Sequence, residues 1–216
     1  MASEEISICR EWVSIEDYQF KILVLTSVLA ENNLAYRGTL QNMCDWLGIV
    51  NAPKNTKRIK EAIKELQKNE YIFYHKEGQT HHISITNKGL KDKRIVKLKK
   101  EYINTIKQFN IAKNGKVNRS WETMTKCLVV LIDNANIVQE DKEKGFVITM
   151  RQLGEEIGKS AATARNTLEK LTQCKFEDIQ VGKELEKKDF ITPYGEKQKR
   201  ITGTYIEINE CIWFGE

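Results

Sequence analysis

Apolar positions recur along the chain with two periods, near 3.6 and near 2, and in the same order in its two halves. In the first half, Ser14-Ile15-Glu16-Asp17 predicts a helix start. Ser14 can cap it, and two acids sit in the positive first turn. A largely apolar helix then runs to about Glu31 and ends at Asn32-Asn33. Residues 34–37 read as a short strand. Thr39 caps a second helix through Leu47, with Leu40, Met43, Cys44 and Leu47 on one face and Gly48 as its stop. After a loop holding Pro53, Asn55 is predicted to cap a third helix to about Asn69, facing inward through Ile59, Ile63 and Leu66. Residues 71–74 and 82–86 alternate as two strands joined around Glu77-Gly78-Gln79. Residues 93–109 carry Ile95, Leu98, Tyr102, Ile106 and Phe109 at helical spacing and predict a long amphipathic helix. The polar stretch 111–117 reads as a linker.

The second half repeats the pattern. Ser120 is expected to cap a helix through Ile132, and 146–148 is a short strand. Thr149 starts a helix that ends at Ile157-Gly158, and Ser160 starts another to Leu171. Two strands close the chain, one within 176–191 and one at 201–208, around a long charged loop. Helix, short strand, helix, helix, strand, strand therefore occurs twice, and such a repeat bears on fold before anything else. Lys21-Ile22-Leu23-Val24 mirrors Lys126-Cys127-Leu128-Val129, and Gly48 corresponds to Gly158. The first copy is expected to hold about five extra residues between its second and third helices. The expected domains are 1–110, ending in a linking helix at about 93–109, and 111–216.

Composition narrows the class. The 216 residues are 30% charged and 40% hydrophobic, which excludes collagen, whole-chain disorder and a disulfide scaffold. The longest apolar runs, near 22–30 and 127–132, fall short of the roughly 20 residues a bilayer crossing needs. The acidic start Met-Ala-Ser-Glu-Glu has no apolar signal region, so a cytoplasmic protein with no membrane contact is expected. Cys9, Cys44, Cys127, Cys174 and Cys211 are odd in number and widely spaced, and read as reduced thiols. His81 and His82 are neighbours on a strand and point to opposite faces, which disfavours a shared metal. No cofactor and no metal are expected.

Charge is unevenly placed. Residues 1–53 carry a net −4, residues 54–107 a net +9, and residues 111–216 balance 17 bases against 17 acids. A concentration of positive charge is the footprint of a polyanion partner, or else a solvated helix face.

The most informative segment runs from Leu153 through Gly154, Ile157, Gly158, Lys159, Ser160, Thr163 and Ala164 to Leu168. Leu153, Ile157, Ala164 and Leu168 form the inward face of two crossing helices. Gly154 is small where the second helix passes close, Gly158 supplies a left-handed turn, and Ser160 caps. Ala161, Ala162, Arg165, Asn166 and Glu169 are left pointing outward. This segment resembles the helix-turn-helix of bacterial winged-helix DNA-binding proteins, departing at Lys159, where an apolar residue is usual. Met43-Cys44-Asp45-Trp46-Leu47-Gly48-Ile49 gives a second, looser copy with a longer turn containing Pro53. The resemblance covers roughly 15–90 and 120–210. It implies an α+β fold, mainly α with small β wings, in which two tandem winged helix-turn-helix domains are joined by the amphipathic helix.

It further implies binding of double-stranded DNA without catalysis. Thr56, Lys57, Lys60 and Lys64 would face DNA in the first domain. Lys159, Ser160, Ala161, Thr163, Arg165 and Asn166 would do so in the second, with Arg165 suited to guanine and Asn166 to adenine. The wings offer Lys76, His81 and His82 in the first domain, and Lys197, Lys199 and Arg200 in the second. The bias to 27 Lys over 8 Arg, with many Ile and Asn, suggests an AT-rich genome. A transcription regulator of a low-GC bacterium or its mobile element is the leading expectation. A plasmid or phage replication initiator or maintenance factor is the alternative, and a protein–protein interaction module a further one. The apolar stripe of 93–109 would be covered within the chain or by a second copy, so a homodimer is expected. Gly154 to Ser160 is one residue short of a phosphate loop and has a helix between its glycines, and Glu155-Glu156 diverge on a helix; neither supports an enzyme.

Overall fold

Helix α1, Asp17–Leu29, is apolar on nearly every side, and each residue from Phe20 to Val28 is buried. A helix of that kind belongs at the centre of a unit rather than on its surface. The computed structural model describes residues 5–29, 35–90, 94–109, 120–140, 145–177, 179–191 and 197–210, without the side chains at 87, 138–140, 189–191, 197–201 and 209–210. It comprises two units, 1–122 and 123–216. The expected boundary lay at 110/111, and the predicted linker at 111–117 lies outside the described residues, as does the predicted helix end at 31–33.

In the first unit, α1 is capped by Glu16, whose carboxylate accepts from the amides of Tyr18 (2.7 Å) and Gln19 (3.1 Å). The hydroxyl of Ser14, the predicted cap, instead donates to the carbonyl of Glu11. Strand β2, Ala35–Gly38, leads to α2, Leu40–Leu47, which opens on a capping box between Thr39 and Asn42 and closes on Gly48 with φ 67°. Helix α3 is Pro53–Lys68. Its cap, Ala52, lies three residues before the predicted one because Pro53 occupies the first helical position, where a missing N–H costs nothing and φ is already set. Asn55 lies inside the helix and donates to the carbonyl of Val50. The hairpin β3, Ile72–Glu77, and β4, Thr80–Ile85, turns at Gly78 with φ 56°. The sheet order is β2-β4-β3, all antiparallel. Tyr36, Ile72, His81, Ile83 and Ile85 are its buried residues, and α1 and α3 pack beside it.

The long helix predicted over 93–109 does not form as such. After a short α4, Asn87–Leu90, residues Ile95–Lys99 are strand β5, and only Lys100–Gln108 are helical, as α5. Strand β5 pairs with β1, Glu5–Cys9, which sequence reasoning missed and which runs into a 3-10 turn, Arg10–Ser14. The reason is local alternation. Val96 and Leu98 face inward opposite Ile8 and Ile6, while Ile95 and Lys97 face out. The spacing that looked helical joins a strand of period 2 to a helix of period 3.6. Leu98, Tyr102 and Ile106 are all buried within the chain.

The second unit takes most of α6, Trp121–Glu140, then β6, Gly145–Ile148, α7, Met150–Glu156, α8, Ala161–Leu171, β7, Ile179–Ile191, and β8, Lys197–Glu210. Helix α6 runs past the predicted end at Ile132. Its sheet order is β6-β8-β7, antiparallel, the same arrangement as β2-β4-β3. The sequence repeat is thus also a repeat of topology, in an α+β architecture of helices and small sheets. Among the described residues, no helix is long and apolar enough to cross a membrane.

Candidate nucleic-acid interface

In the second unit the turn between α7 and α8 is built as its residues dictate. Thr149 and Gln152 form a capping box on α7, and the Ser160 hydroxyl accepts from the amide of Thr163 (3.2 Å) to cap α8. Gly158 has φ 66°. A Cβ at Gly154 would stand 2.7 Å from the carbonyl oxygen of Lys159 and 3.1 Å from the amide nitrogen of Ala161, so only glycine lets the turn approach this closely. Ala164, Thr167, Leu168 and Leu171 are buried on one side of α8. Ser160, Ala161, Thr163, Arg165 and Asn166 are exposed on the other, and Lys159 is half-buried in the turn.

Arg165 and Asn166 line a groove of about 820 Å³ between α8 and the β7–β8 hairpin, opposite Lys183, Leu185 and Thr202. Lys183 bridges the two walls through an ion pair with Glu169. Lys183 and Thr202 were not singled out in the sequence, because which strand residues meet a helix depends on register. Lys197, Lys199 and Arg200 lie on the backbone of β8 opposite Ile191, Asp189 and Lys188; their side chains lie outside the described residues.

The first unit presents a different surface. Ile59, Ala62, Ile63 and Leu66 are buried on one side of α3, leaving Lys57, Lys60 and Lys64 at spacings of three and four on the other. Thr56 sits among them, half-buried, its hydroxyl donating to the carbonyl of Pro53 (3.1 Å). Lys57 pairs with Glu61 at 3.8 Å while both stay well exposed, so the pair adds little stability and leaves the lysine able to exchange partners. Lys60 and Lys64 have no ion pair among the described residues. Arg58, overlooked in the sequence, is exposed and lies 5.7 Å from the Tyr18 ring.

In the hairpin, Lys76 is exposed and His82 is partly so. His81 is not available as a wing contact. It is 3% exposed on the core side of β4, and its Nδ1 lies 2.9 Å from the Tyr74 hydroxyl. Burial, then the nearby charges of Lys76 and Lys60, hold its pKa below the usual histidine value, so it stays neutral there. Alternation explains the difference: His82 is the outward neighbour.

The described cysteines, Cys9, Cys44, Cys127 and Cys174, are buried thiols in no disulfide; Cys211 lies outside the described residues. Among the described residues no group of three or more His, Cys, Asp or Glu is placed to hold a metal ion. No protein-family model matches the sequence, and a search of curated proteins finds no match to it.

Proposed function

We propose that the chain is a sequence-specific binder of double-stranded DNA, non-enzymatic, built as two tandem winged helix-turn-helix units. The observation that carries this reading is the repeated helix pair, α2–α3 and α7–α8, each followed by a hairpin in a three-stranded sheet of the same strand order. In each pair the second helix buries an apolar side and exposes a polar one, the arrangement that lets a helix enter a major groove. The exposed lysines of α3 suit phosphates, and Arg165 with Asn166 suits base edges. A role in transcription regulation is the first assignment. A replication initiator would differ in where its sites lie, beside an origin rather than across a promoter. A homodimer remains part of the proposal, although Leu98, Tyr102 and Ile106 of the stripe offered for it are buried inside the chain and Ile95 is exposed.

Selection of bound sequences from random duplex DNA tests the reading. An enriched sequence, with affinity falling steeply as salt rises, is expected. Arg165→Ala or Asn166→Ala should then relax preference at one base position, by roughly 1–3 kcal/mol. Failure to enrich any sequence, with binding indifferent to salt, would overturn it. The charge-balanced second half favours one other reading, a protein-docking module, which predicts that outcome.

A further inference from the structure

The outer face of the β2-β4-β3 sheet carries a feature that helix-in-groove binding does not use. Strand alternation puts Phe73, His75 and Glu77 of β3 outward, with Ser84, His82 and Thr80 of β4 beside them and Ala35 and Arg37 of β2 beyond. Phe73 is a large apolar side chain, 61% exposed on this face. Its ring centroid is 6.0 Å from that of His75. His75 stacks in turn on its cross-strand partner His82, at 4.3 Å and 12° from parallel. Arg37, exposed, lies across from His82 on the third strand. One row across the sheet is therefore Arg37, His82, His75. The next is Ala35, Ser84, Phe73, where two small residues leave a low floor beside the phenyl ring. Among the described residues the Nε2 of His82 has no hydrogen-bond partner, and it sits 3.8 Å from the Glu77 carboxylate.

We propose that this face binds single-stranded DNA by stacking unpaired bases on Phe73 and His75, with Arg37 beside the phosphates. Ring chemistry selects the ligand. A protein partner would want a broader apolar patch, whereas here one phenyl ring stands among imidazoles and a guanidinium. Planar bases accept all three, since stacking and cation–π contact need only a ring face. The bases must be unpaired, because in a duplex their faces already cover one another. The inference does not rest on the duplex reading, because the face lies on the sheet and not on α3 or α8.

Fluorescence anisotropy on the full chain tests it, with three labelled probes of equal length: oligothymidylate, the corresponding abasic deoxyribose-phosphate strand, and a mixed-sequence duplex. The wild-type chain should bind oligothymidylate about tenfold or more tighter than the abasic strand, because stacking needs the base. Phe73→Ala with His75→Ala should remove that preference and leave duplex affinity unchanged. Phe73→Tyr should keep it, which separates loss of a ring from loss of folding. Lys60→Ala with Lys64→Ala should do the reverse, weakening duplex binding and sparing the preference for thymidine over abasic strand. Equal binding of the base-bearing and abasic strands by the wild-type chain overturns the proposal, as does a Phe73→Ala, His75→Ala chain that keeps its preference. Failure of duplex binding alone would strike the proposed function and leave this one standing.

Discussion

The two units share an order of elements and a strand order, yet the helix that each displays after its turn is chemically different. On α3 the exposed side is a row of lysines, Lys57, Lys60 and Lys64. On α8 it is small and neutral, Ala161, Ala162 and Thr163, with one arginine and one asparagine. A lysine is a mobile point charge that meets a phosphate from many directions, while arginine and asparagine present fixed forks of donors and acceptors. If both helices meet DNA, the first contributes affinity that depends on salt, and the second discriminates among bases. The difference extends inward. The first unit carries the β1–β5 ribbon and α5 outside the shared pattern, and no described element of the second corresponds to them.

That added ribbon is where the comparison breaks most sharply. Leu98 is 1% exposed on β5, opposite Ile6 of β1. Leu98→Asp leaves a charge with no partner in an apolar layer, at a cost of about 3–5 kcal/mol. Hydrogen exchange should then show the first unit opening while amides of α8 and β8 keep their protection. Loss of protection in both units alike would mean that they do not unfold separately.

The turns differ next. Helix α8 starts at Ala161 shortly after Gly158, whereas α3 starts at Pro53, two residues further from its own Gly48. The extra length accounts for what precedes each glycine by four: Gly154 in the tight turn, the fully buried Cys44 in the loose one. Gly154→Ala should cost about 1–3 kcal/mol, since its Cβ would meet backbone that cannot swing aside. An unchanged melting temperature would show that the turn gives way. A smaller effect concerns salt. Lys60→Ala with Lys64→Ala should lower the slope of log affinity against log salt by about 0.9 for each phosphate that is no longer neutralised. Arg165→Ala should alter base preference with less change in slope, and equal slopes for the two variants would erase the contrast.

Much of the repeat was legible because it rests on local signals. Thr39, Thr149 and Ser160 cap helices where they stand, and Gly48 and Gly158 adopt the positive φ expected of them. Reading failed where a partner distant in sequence decides. Residues 95–99 become a strand because Glu5–Cys9 lies alongside, and Ile6 and Ile8 alternate with polar neighbours in a run too short to stand out. Glu16 displaced Ser14 as a cap, since a carboxylate reaches two amides at once. In the candidate site the helix faces followed from periodicity. The outward Phe73 and His75, and the approach of Lys183 to Glu169, depended on strand register, although alternation from the buried Ile72 already pointed Phe73 away from the core.

The two units also differ in pH dependence. In the second unit, burial pushes the Cys174 thiol up to about 12 and raises that of Cys127 further in the same direction. In the unfolded chain these thiols ionise near 8.5. Above that pH the unfolded state binds fewer protons than the native state, so stability falls as pH rises toward 12. In the first unit, burial raises Cys44 in the same sense. Opposing it is Lys107 on α5, whose ammonium lies 3.6 Å from the centre of the Trp46 ring and donates to the Trp46 carbonyl. Burial outweighs those contacts and lowers its pKa to about 8. Between pH 8 and its unfolded value near 10.4, the unfolded state therefore holds a proton that the native state has lost, and this contribution rises with pH. Denaturant unfolding followed in each unit from pH 7 to about 10 should show the second unit losing stability more steeply than the first. Lys107→Met removes the compensating group, so the first unit should then decline as the second does. If the variant and the wild-type chain trace parallel curves, Lys107 keeps its proton throughout and contributes nothing to the difference.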